Sequence, residues 1–178
     1  IAKTGRNLLA HLDTAQQALE AEDFTQAFQA VDQADAILVE FSRGKLDNAR
    51  GTIEGYQGNW QAQRQREIAA GLQSAQEILR DQELTVPNLA AAQTSLQEVL
   101  RLQADQPRAL SAMDLVSRLG ELLQSIQSSR FDQADQLMSN AEALAAQAEF
   151  EPETLNQAKA RLSVSRANWQ VKETGTRI

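Results

Sequence analysis

Apolar residues recur along this chain at steps of three and four positions, which is the spacing of one face of an α-helix. The first residues that follow this step are Leu8, Leu12, Ala15 and Leu19. Asp23 then stands where a helix N-cap is expected, and Phe24 begins a second periodic run that we expect to end at Gly44. The pattern predicts two helices joined by a short turn.

The same periodicity continues through the rest of the chain, with runs over 46–60, 72–79 and 92–102, and a further helix is predicted to begin near Phe131. Proline is well tolerated in the first turn of a helix. The prolines that stand at such positions are Pro87, Pro107 and Pro152. With only three prolines and eight glycines, the chain has too few turn residues for an all-β fold. The sequence therefore predicts an all-α protein of about six to seven helices.

An internal duplication is the strongest signal in the sequence. Residues of the first segment match residues 107 positions later, and after an insertion of two residues the match resumes 109 positions later. The matched pairs include Leu12 with Leu119, Leu19 with Ile126, Phe24 with Phe131, Ala27 with Ala134, Ala34 with Ala141, Ile53 with Leu162 and Trp60 with Trp169. The chain has only two tryptophans, so their agreement in register argues for a true repeat. The structural repeat positions are therefore Phe24, Ala27, Ala34, Trp60, Phe131, Ala134, Ala141 and Trp169.

The middle of the chain carries a looser third copy, which keeps the apolar steps of 0, 4, 7 and 10 that begin at Ala27 and Ala134. Its residues at these steps are Ala92, Leu96, Val99 and Leu102. The sequence predicts three antiparallel helical hairpins and a final helix, over approximately 3–43, 45–104, 107–148 and 152–172. Within a single domain, 1–178, we expect the hairpins to stack as a short α-solenoid, because each buries its apolar face only against a neighbour.

Two stretches have the spacing of a known helical repeat. The positions are Phe24, Ala27, Val31 and Ala34, and in the second copy Phe131, Ala134, Met138 and Ala141. This order of an aromatic residue, Ala, a large apolar residue and Ala resembles the second helix of a tetratricopeptide repeat. The first helices lack the family's Trp, Leu-Gly and Tyr positions, and Ala27, Ala92 and Ala134 are 65 and 42 residues apart instead of about 34. The resemblance implies a degenerate, tetratricopeptide-like stack whose exposed faces bind other proteins.

The middle hairpin, with residues 84–89 followed by Leu96 and residues 99–102, also resembles degenerate repeats of bacterial envelope proteins. In those proteins such repeats separate a membrane anchor from a terminal functional domain. The resemblance implies a bacterial protein with a spacer or docking role, on the periplasmic side of the envelope in preference to the cytoplasm. The chain begins at Ile1 without a Met or a signal-peptide pattern, so we expect it to be part of a larger protein.

Charge and composition argue against several classes of function. The net charge of −7 and the lack of any basic block argue against a nucleic-acid partner, because phosphate binding requires a basic surface. No apolar run approaches the roughly 20 residues that span a bilayer, so we expect no direct membrane insertion. The chain has no cysteine, which excludes disulfides and thiolate metal ligands.

The residues that could support catalysis or bind a metal form no recognisable motif. His11 is the only histidine, and no HExxH pattern exists. The acidic residues that cluster near predicted helix ends are Glu20, Glu22, Asp23, Asp132 and Asp135. Carboxylates at helix starts interact favourably with the positive end of the helix dipole, so capping accounts for them. We therefore predict no catalytic residue, no cofactor and no metal site, and we expect the protein not to be an enzyme.

Two local features have alternative interpretations. Trp60 either completes an apolar stripe with Ile53 and Tyr56 or is an exposed anchor for a ligand. The same two interpretations apply to Trp169 in the second copy. Three glycines share one helical face: Gly51, Gly55 and Gly58. They either allow a neighbouring helix to approach closely or form a hinge. We favour the apolar stripe and the close helix packing. The stretch 61–67 has no large apolar residue, which predicts an exposed segment or a joint between units.

Two hypotheses about function follow. The first is a non-catalytic protein-interaction or spacer module of a larger bacterial protein, whose partner is another protein or a flanking domain of the same protein. The alternative is a ligand-sensing helical domain that binds a small molecule between hairpins, although few aromatic residues are present to line a pocket. Self-association as a homo-oligomer is a further expectation, because the last helix, from Leu155 to Trp169, has no successor in the sequence to cover it.

Overall fold

The computed structural model of the protein describes residues 2–37 and 43–175, and 89% of these residues are helical. No strand occurs within the two described ranges, so the prediction of an all-α protein is confirmed. The seven α-helices in these ranges are α1 (Ala2–Glu20), α2 (Phe24–Ile37), α3 (Arg43–Asp81), α4 (Val86–Leu102), α5 (Pro107–Gln127), α6 (Phe131–Gln147) and α7 (Asn156–Gly175). A 3-10 turn, Pro152–Leu155, leads into α7.

Capping groups and prolines determine where several helices begin. The Asp23 carboxylate accepts a hydrogen bond from the backbone N–H of Gln26 at 2.9 Å, which makes it the N-cap of α2. Pro87 and Pro107 lie in the first turns of α4 and α5, as predicted. Pro152 instead begins the 3-10 turn, so α7 starts later than the sequence pattern predicts.

The prediction that the second helical region ends at Gly44 is wrong. The structure describes α2 as far as Ile37. The next residue of the periodic run, Leu38, lies outside the described residues. Gly44 is already the second residue of α3, which continues for 39 residues to Asp81. A single glycine costs a helix only about 1 kcal/mol relative to alanine, and such a cost is readily offset by the good helix formers around it.

The chain divides into two compact units, Ile1–Gln65 and Arg66–Ile178. In the first unit α1 and α2 form a hairpin, and the beginning of α3 contributes the buried Ile53 to the same core. The other buried core residues of this unit are Ala15, Ala18, Ala27, Ala30, Val31 and Ala34. Because most of them are alanines, helix packing here depends on close approach of the backbones rather than on large side chains.

The second unit builds a larger core from the end of α3 and from helices α4 to α7. The buried leucines near its centre are Leu96, Leu115, Leu119 and Leu122. α3 and α4 approach each other closely at Gly71, whose α-carbon faces the Val99 side chain. A hydroxyl contact between Ser74 and Ser95, 3.2 Å apart, lies beside this point.

Two arginines connect other helices of the second unit to the segment that follows α6. Arg80 on α3 forms an ion pair with Glu151 at 3.5 Å. Arg108 on α5 donates a hydrogen bond to the backbone carbonyl of Ala148 at 3.0 Å and lies 3.3 Å from Glu149. The bond to Ala148 satisfies a carbonyl that the end of a helix otherwise leaves without a partner.

Three helix ends share one turn geometry. The residues with positive φ there are Glu22 (58°), Ser129 (55°) and Glu149 (57°). After α1, the N–H of Asp23 donates to the carbonyl of Ala18 at 2.8 Å, and after α5 the N–H of Arg130 donates to Ser125 at 2.9 Å. This is the long-range bond of a Schellman motif, which closes the end of a helix. The residues of the two turns are related by the 107-residue shift seen in the sequence.

Candidate functional site

The aromatic repeat positions meet in two pairs with closely matching geometry. The rings of Phe24 and Trp60 have centroids 5.5 Å apart and planes inclined by 58°. The rings of Phe131 and Trp169 have centroids 5.6 Å apart and planes inclined by 57°. Tilted contacts at this distance are favourable, because the positive edge of one ring meets the negative face of the other. Each pair joins the first residue of a short helix, α2 or α6, to the long helix that follows it.

The alanine repeat positions are fully buried. They are Ala27, Ala34, Ala134 and Ala141, and each is 0% exposed. In α2 and in α6 the two alanines are seven residues apart, which places them on the same helical face two turns from each other. A methyl group at these positions allows the neighbouring helix to approach closely, and any larger side chain would have to displace it.

An ion pair also recurs at matched positions. Arg50 on α3 lies 3.7 Å from Asp35 on α2, and Lys159 on α7 lies 2.8 Å from Glu142 on α6. Arg50 also makes a closer hydrogen bond to Asp32, at 2.5 Å, which has no counterpart in the second copy because Ser139 stands at the matched position. Lys159 follows Arg50 by 109 residues and Glu142 follows Asp35 by 107, the same shifts that relate the aromatic pairs. Residues matched in the sequence thus make the same kinds of contact in the turn, in the aromatic pair and in the ion pair.

Each aromatic pair also has an arginine stacked on it, but on a different ring. The guanidinium of Arg166 lies 5.5 Å from the ring centre of Phe131, and its Nη2 lies 2.6 and 2.7 Å from the two carboxylate oxygens of Asp135. In the first unit Arg64 lies over Trp60 at 4.8 Å. Neither contact was predicted from the sequence, although the (i, i+4) spacing of Arg64 and Trp60 on one helix is a signal that could have revealed one of them.

The predicted apolar stripe of α3 is only partly correct. Ile53 is buried and Trp60 is half-buried, but Tyr56 is 61% exposed, so its assignment to the stripe is wrong. The physical reason is that the buried positions of α3 after Ile53 fall on a slightly different helical face from the one that the sequence steps indicate. Gln57, four residues after Ile53, is half-buried, so the face that packs passes through 57 rather than 56. Trp169 is 40% exposed and is a more open counterpart of Trp60.

The prediction that three glycines admit a neighbouring helix is also wrong. Around an added Cβ at Gly51, Gly55 or Gly58, no described atom comes within 4 Å apart from the adjacent residues and the nearby backbone of α3 itself. All three are exposed on α3. Residues 61–67 are exposed as predicted, apart from the half-buried Arg64. The glycines therefore provide no packing contact, and their effect on this part of α3 is to lower its helical propensity.

An open groove of about 510 Å³ lies between α4 and α5 in the second unit. The apolar residues that line it are Val86, Leu89, Met113, Val116 and Leu123. Polar side chains, among them Gln93, Asp114 and Gln124, lie beside these apolar residues. Val86 is 67% exposed, so an apolar surface remains accessible to a partner. A groove of this kind can receive apolar side chains of a peptide or a small molecule.

The equivalent face of α1 in the first unit is solvated. Leu9, which matches Val116 in the sequence, is 61% exposed, whereas Val116 is 6% exposed beside α4. Gln16 stands where the second segment has Leu123, and it is also exposed. The matched faces of the two helices therefore differ, because α4 packs on the face of α5 whereas the corresponding positions of α1 are exposed.

The described residues contain no group of three or more His, Cys, Asp and Glu side chains arranged to bind a metal ion. His11 is half-buried on α1. Two of the acidic residues singled out in the sequence make structural contacts, since Asp23 caps α2 and Asp135 binds Arg166. Asp132 lies in the first turn of α6. None of the described helices combines the length and the apolar character that a bilayer crossing requires.

Comparison of the chain with family models, with curated proteins and with solved structures finds no match.

Proposed function

We propose that this chain is a non-catalytic protein-interaction or spacer module of a larger bacterial protein, built from degenerate tetratricopeptide-like hairpins. The observation that carries the proposal is the matching geometry of the Phe24–Trp60 and Phe131–Trp169 contacts. It supports a three-helix unit used twice, first as α1, α2 and the beginning of α3, then as α5, α6 and α7. Repeated helical units offer extended exposed surfaces, and function on such scaffolds resides in those surfaces.

The α4–α5 groove is the surface best suited to a protein partner. Its apolar lining, the amide groups of Gln93 and Gln124 and the carboxylate of Asp114 suit an apolar helix face flanked by polar groups that hydrogen-bond to them. The partner is another protein or a flanking domain of the same protein. The resemblance of residues 84–102 to repeats of envelope proteins favours the periplasmic side of a bacterial envelope as the place where this occurs.

A replacement experiment separates the spacer role from the docking role. In the natural gene product, residues 2–175 are exchanged for an unrelated helical domain of similar size. A pure spacer role predicts that the parent protein keeps its cellular activity, whereas a docking role predicts that the activity is lost. Turnover of a substrate by the purified wild-type chain would contradict the whole proposal.

A point variant tests the groove itself. Val86→Glu places a carboxylate in the first turn of α4, where the helix dipole tolerates it, so the fold is preserved while an exposed apolar residue of the groove is replaced by a second negative charge in addition to Asp114. Docking in the groove predicts loss of the parent activity in this variant. The matched control is Leu110→Glu, at an exposed position of α5 that does not line the groove, which is expected to leave the activity intact.

The alternative function, binding of a small molecule between helices, is favoured by one observation. The volume of the α4–α5 groove, about 510 Å³, falls within the range of ligand sites, roughly 300–1,000 Å³. A thermal-shift screen against metabolite libraries tests it. A compound that raises Tm of the wild type but not of Val86→Glu would replace the protein-docking proposal, and the absence of any such compound would eliminate the alternative.

A further inference from the structure

The long helix α3 contributes to two separate hydrophobic cores. Ile53 belongs to the core of the first unit, and Ile68 is the next buried residue of α3 and belongs to the core of the second. None of the residues between them, 54–67, is buried, and only three are half-buried. We call residues 54–67 the α3 bridge. Most of the stability of a helix in a protein comes from the packing of its apolar face, so the α3 bridge gains less of this stability than the two ends of α3.

The residues of the α3 bridge weaken its helix further. Gly55 and Gly58 lie within it, and each glycine makes the helical state about fivefold less favourable than alanine does. At the matched positions of the second copy, 109 residues later, α7 has Val164 and Ala167. Since α7 makes the same kind of aromatic contact as α3, side chains at these positions are compatible with the three-helix unit. The two glycines are therefore not required by the packing that the copies share.

One ring contact attaches the α3 bridge to the first unit. Trp60 is half-buried, and its ring lies 5.5 Å from that of Phe24, at the start of α2. The stacking of Arg64 on Trp60 joins two residues of the bridge itself, so this contact does not attach the bridge to either core. A single tilted aromatic contact changes an equilibrium only about tenfold, which is small beside the contribution of a buried core.

We propose that the α3 bridge is an extensible joint, which opens as one segment from helix to extended chain while both cores stay folded. The two core clusters share no residue, so the buried contacts within each of them do not require the bridge to be helical. A helix rises about 1.5 Å per residue and an extended chain about 3.4 Å, so full opening lengthens the bridge by about 25 Å. This inference goes beyond the proposed function and does not depend on it, because the joint would operate whether or not the α4–α5 groove binds a partner.

Hydrogen–deuterium exchange of the whole chain, followed by mass spectrometry, tests the opening. The backbone amides of residues 57–67 are expected to exchange together, and at least about tenfold faster than those of residues 72–80 on the same helix and of residues 27–37 on α2. Exchange of 57–67 as slow as that of 72–80 would overturn the proposal. Exchange of 57–67 at the same rate as 27–37 would also overturn it, because the first unit would then be unfolding as a whole.

A double variant tests whether the bridge opens as one segment. Gly55→Ala/Gly58→Ala is expected to slow exchange roughly twentyfold throughout 57–67, including residues two turns away from either substitution. The matched control is Gly120→Ala on α5, where an added Cβ likewise meets no other described helix within 4 Å. This control is expected to leave exchange of the bridge unchanged. An unchanged bridge in the double variant, slowing confined to the substituted turn, or equal slowing by Gly120→Ala would each overturn the proposal.

Discussion

Gly71 on α3 faces Val99 on α4 so closely that no methyl group fits between the two residues. A Cβ added to Gly71 would overlap with the Cγ2 atom of Val99 and would lie 3.3 Å from the carbonyl oxygen of Ser95. Val99 is buried and β-branched, so its side chain has few alternative rotamers into which it could move. The absence of a side chain at Gly71 is therefore a condition of the α3–α4 contact.

Alanine substitution should consequently have opposite effects at two glycines of the same helix. Gly71→Ala is expected to lower the free energy of unfolding by about 1–3 kcal/mol through overpacking. Gly55→Ala, at a position where no other described helix comes within 4 Å of an added Cβ, is expected to raise it by up to about 1 kcal/mol, because alanine favours the helix. Chemical denaturation measures both. Adding Val99→Ala to Gly71→Ala should recover part of the loss, and a fully additive result would contradict the assigned overlap.

The two aromatic pairs should couple with similar strength. Double-mutant cycles with leucine at Phe24 and Trp60, and separately at Phe131 and Trp169, measure the interaction energy of each pair. Tilted aromatic contacts typically contribute about 0.5–1.5 kcal/mol, and we expect the two cycles to agree within about 0.5 kcal/mol. Measurable coupling in one pair and none in the other would indicate that the pairs are not equivalent.

Arg166 should resist replacement by lysine more than an ordinary surface arginine does. Its Nη2 alone contacts both carboxylate oxygens of Asp135, which an ammonium group could also do, but the planar guanidinium also lies against the ring of Phe131, and an ammonium group cannot reproduce that stacking. Since the side chain is 37% exposed, we expect a loss of no more than about 1 kcal/mol in Arg166→Lys. Arg118→Lys is the control, because Arg118 makes only an exposed pair with Glu121 and should show little change. Equal losses in the two variants would contradict the role of stacking.

The Arg80–Asp81 pair makes a small pH-dependent contribution to stability. The hydrogen bond from Arg80 lowers the pKa of Asp81 below its usual value, and the same bond raises the pKa of Arg80. Because the folded pKa of Asp81 is depressed, its contribution is present above the unfolded pKa, near 3.9, and is lost as the pH falls through the folded value. We expect Asp81→Asn to lower Tm at pH 7, and its difference from the wild type to shrink as the pH falls below about 3.9. A difference in Tm that grows as the pH falls would contradict this account.

The helices and their apolar faces could be predicted from the sequence because both depend on local spacing. Ala92, Leu96 and Val99 recur at helical steps, and all three are buried in α4. The register of Phe24 and Trp60 with Phe131 and Trp169 was evident in the sequence, but the ring contact within each pair was not predicted, because it joins two helices that meet only in the fold.

The features that were missed or misjudged depend on what faces a residue across the fold. Nothing in the residues around Gly71 reveals that Val99 lies opposite it. Conversely, Gly55 and its two neighbours share a helical face, but no described helix covers that face, so the same residue type has a different meaning on the two halves of α3. The stacking of Arg166 on Phe131 joins residues 35 positions apart, which a local pattern does not reveal.

The central claim, that one three-helix unit occurs twice, is tested most directly by ¹⁹F NMR of the chain labelled with 5-fluorotryptophan. Only two tryptophans are present, so the wild type should give two resonances. We expect Phe24→Leu to shift only the Trp60 resonance and Phe131→Leu to shift only the Trp169 resonance, by similar amounts and in the same direction, because the ring geometries agree. If one substitution left both resonances unmoved, or if the two shifts had opposite signs, the two Phe–Trp contacts would not be equivalent and the claim would be contradicted.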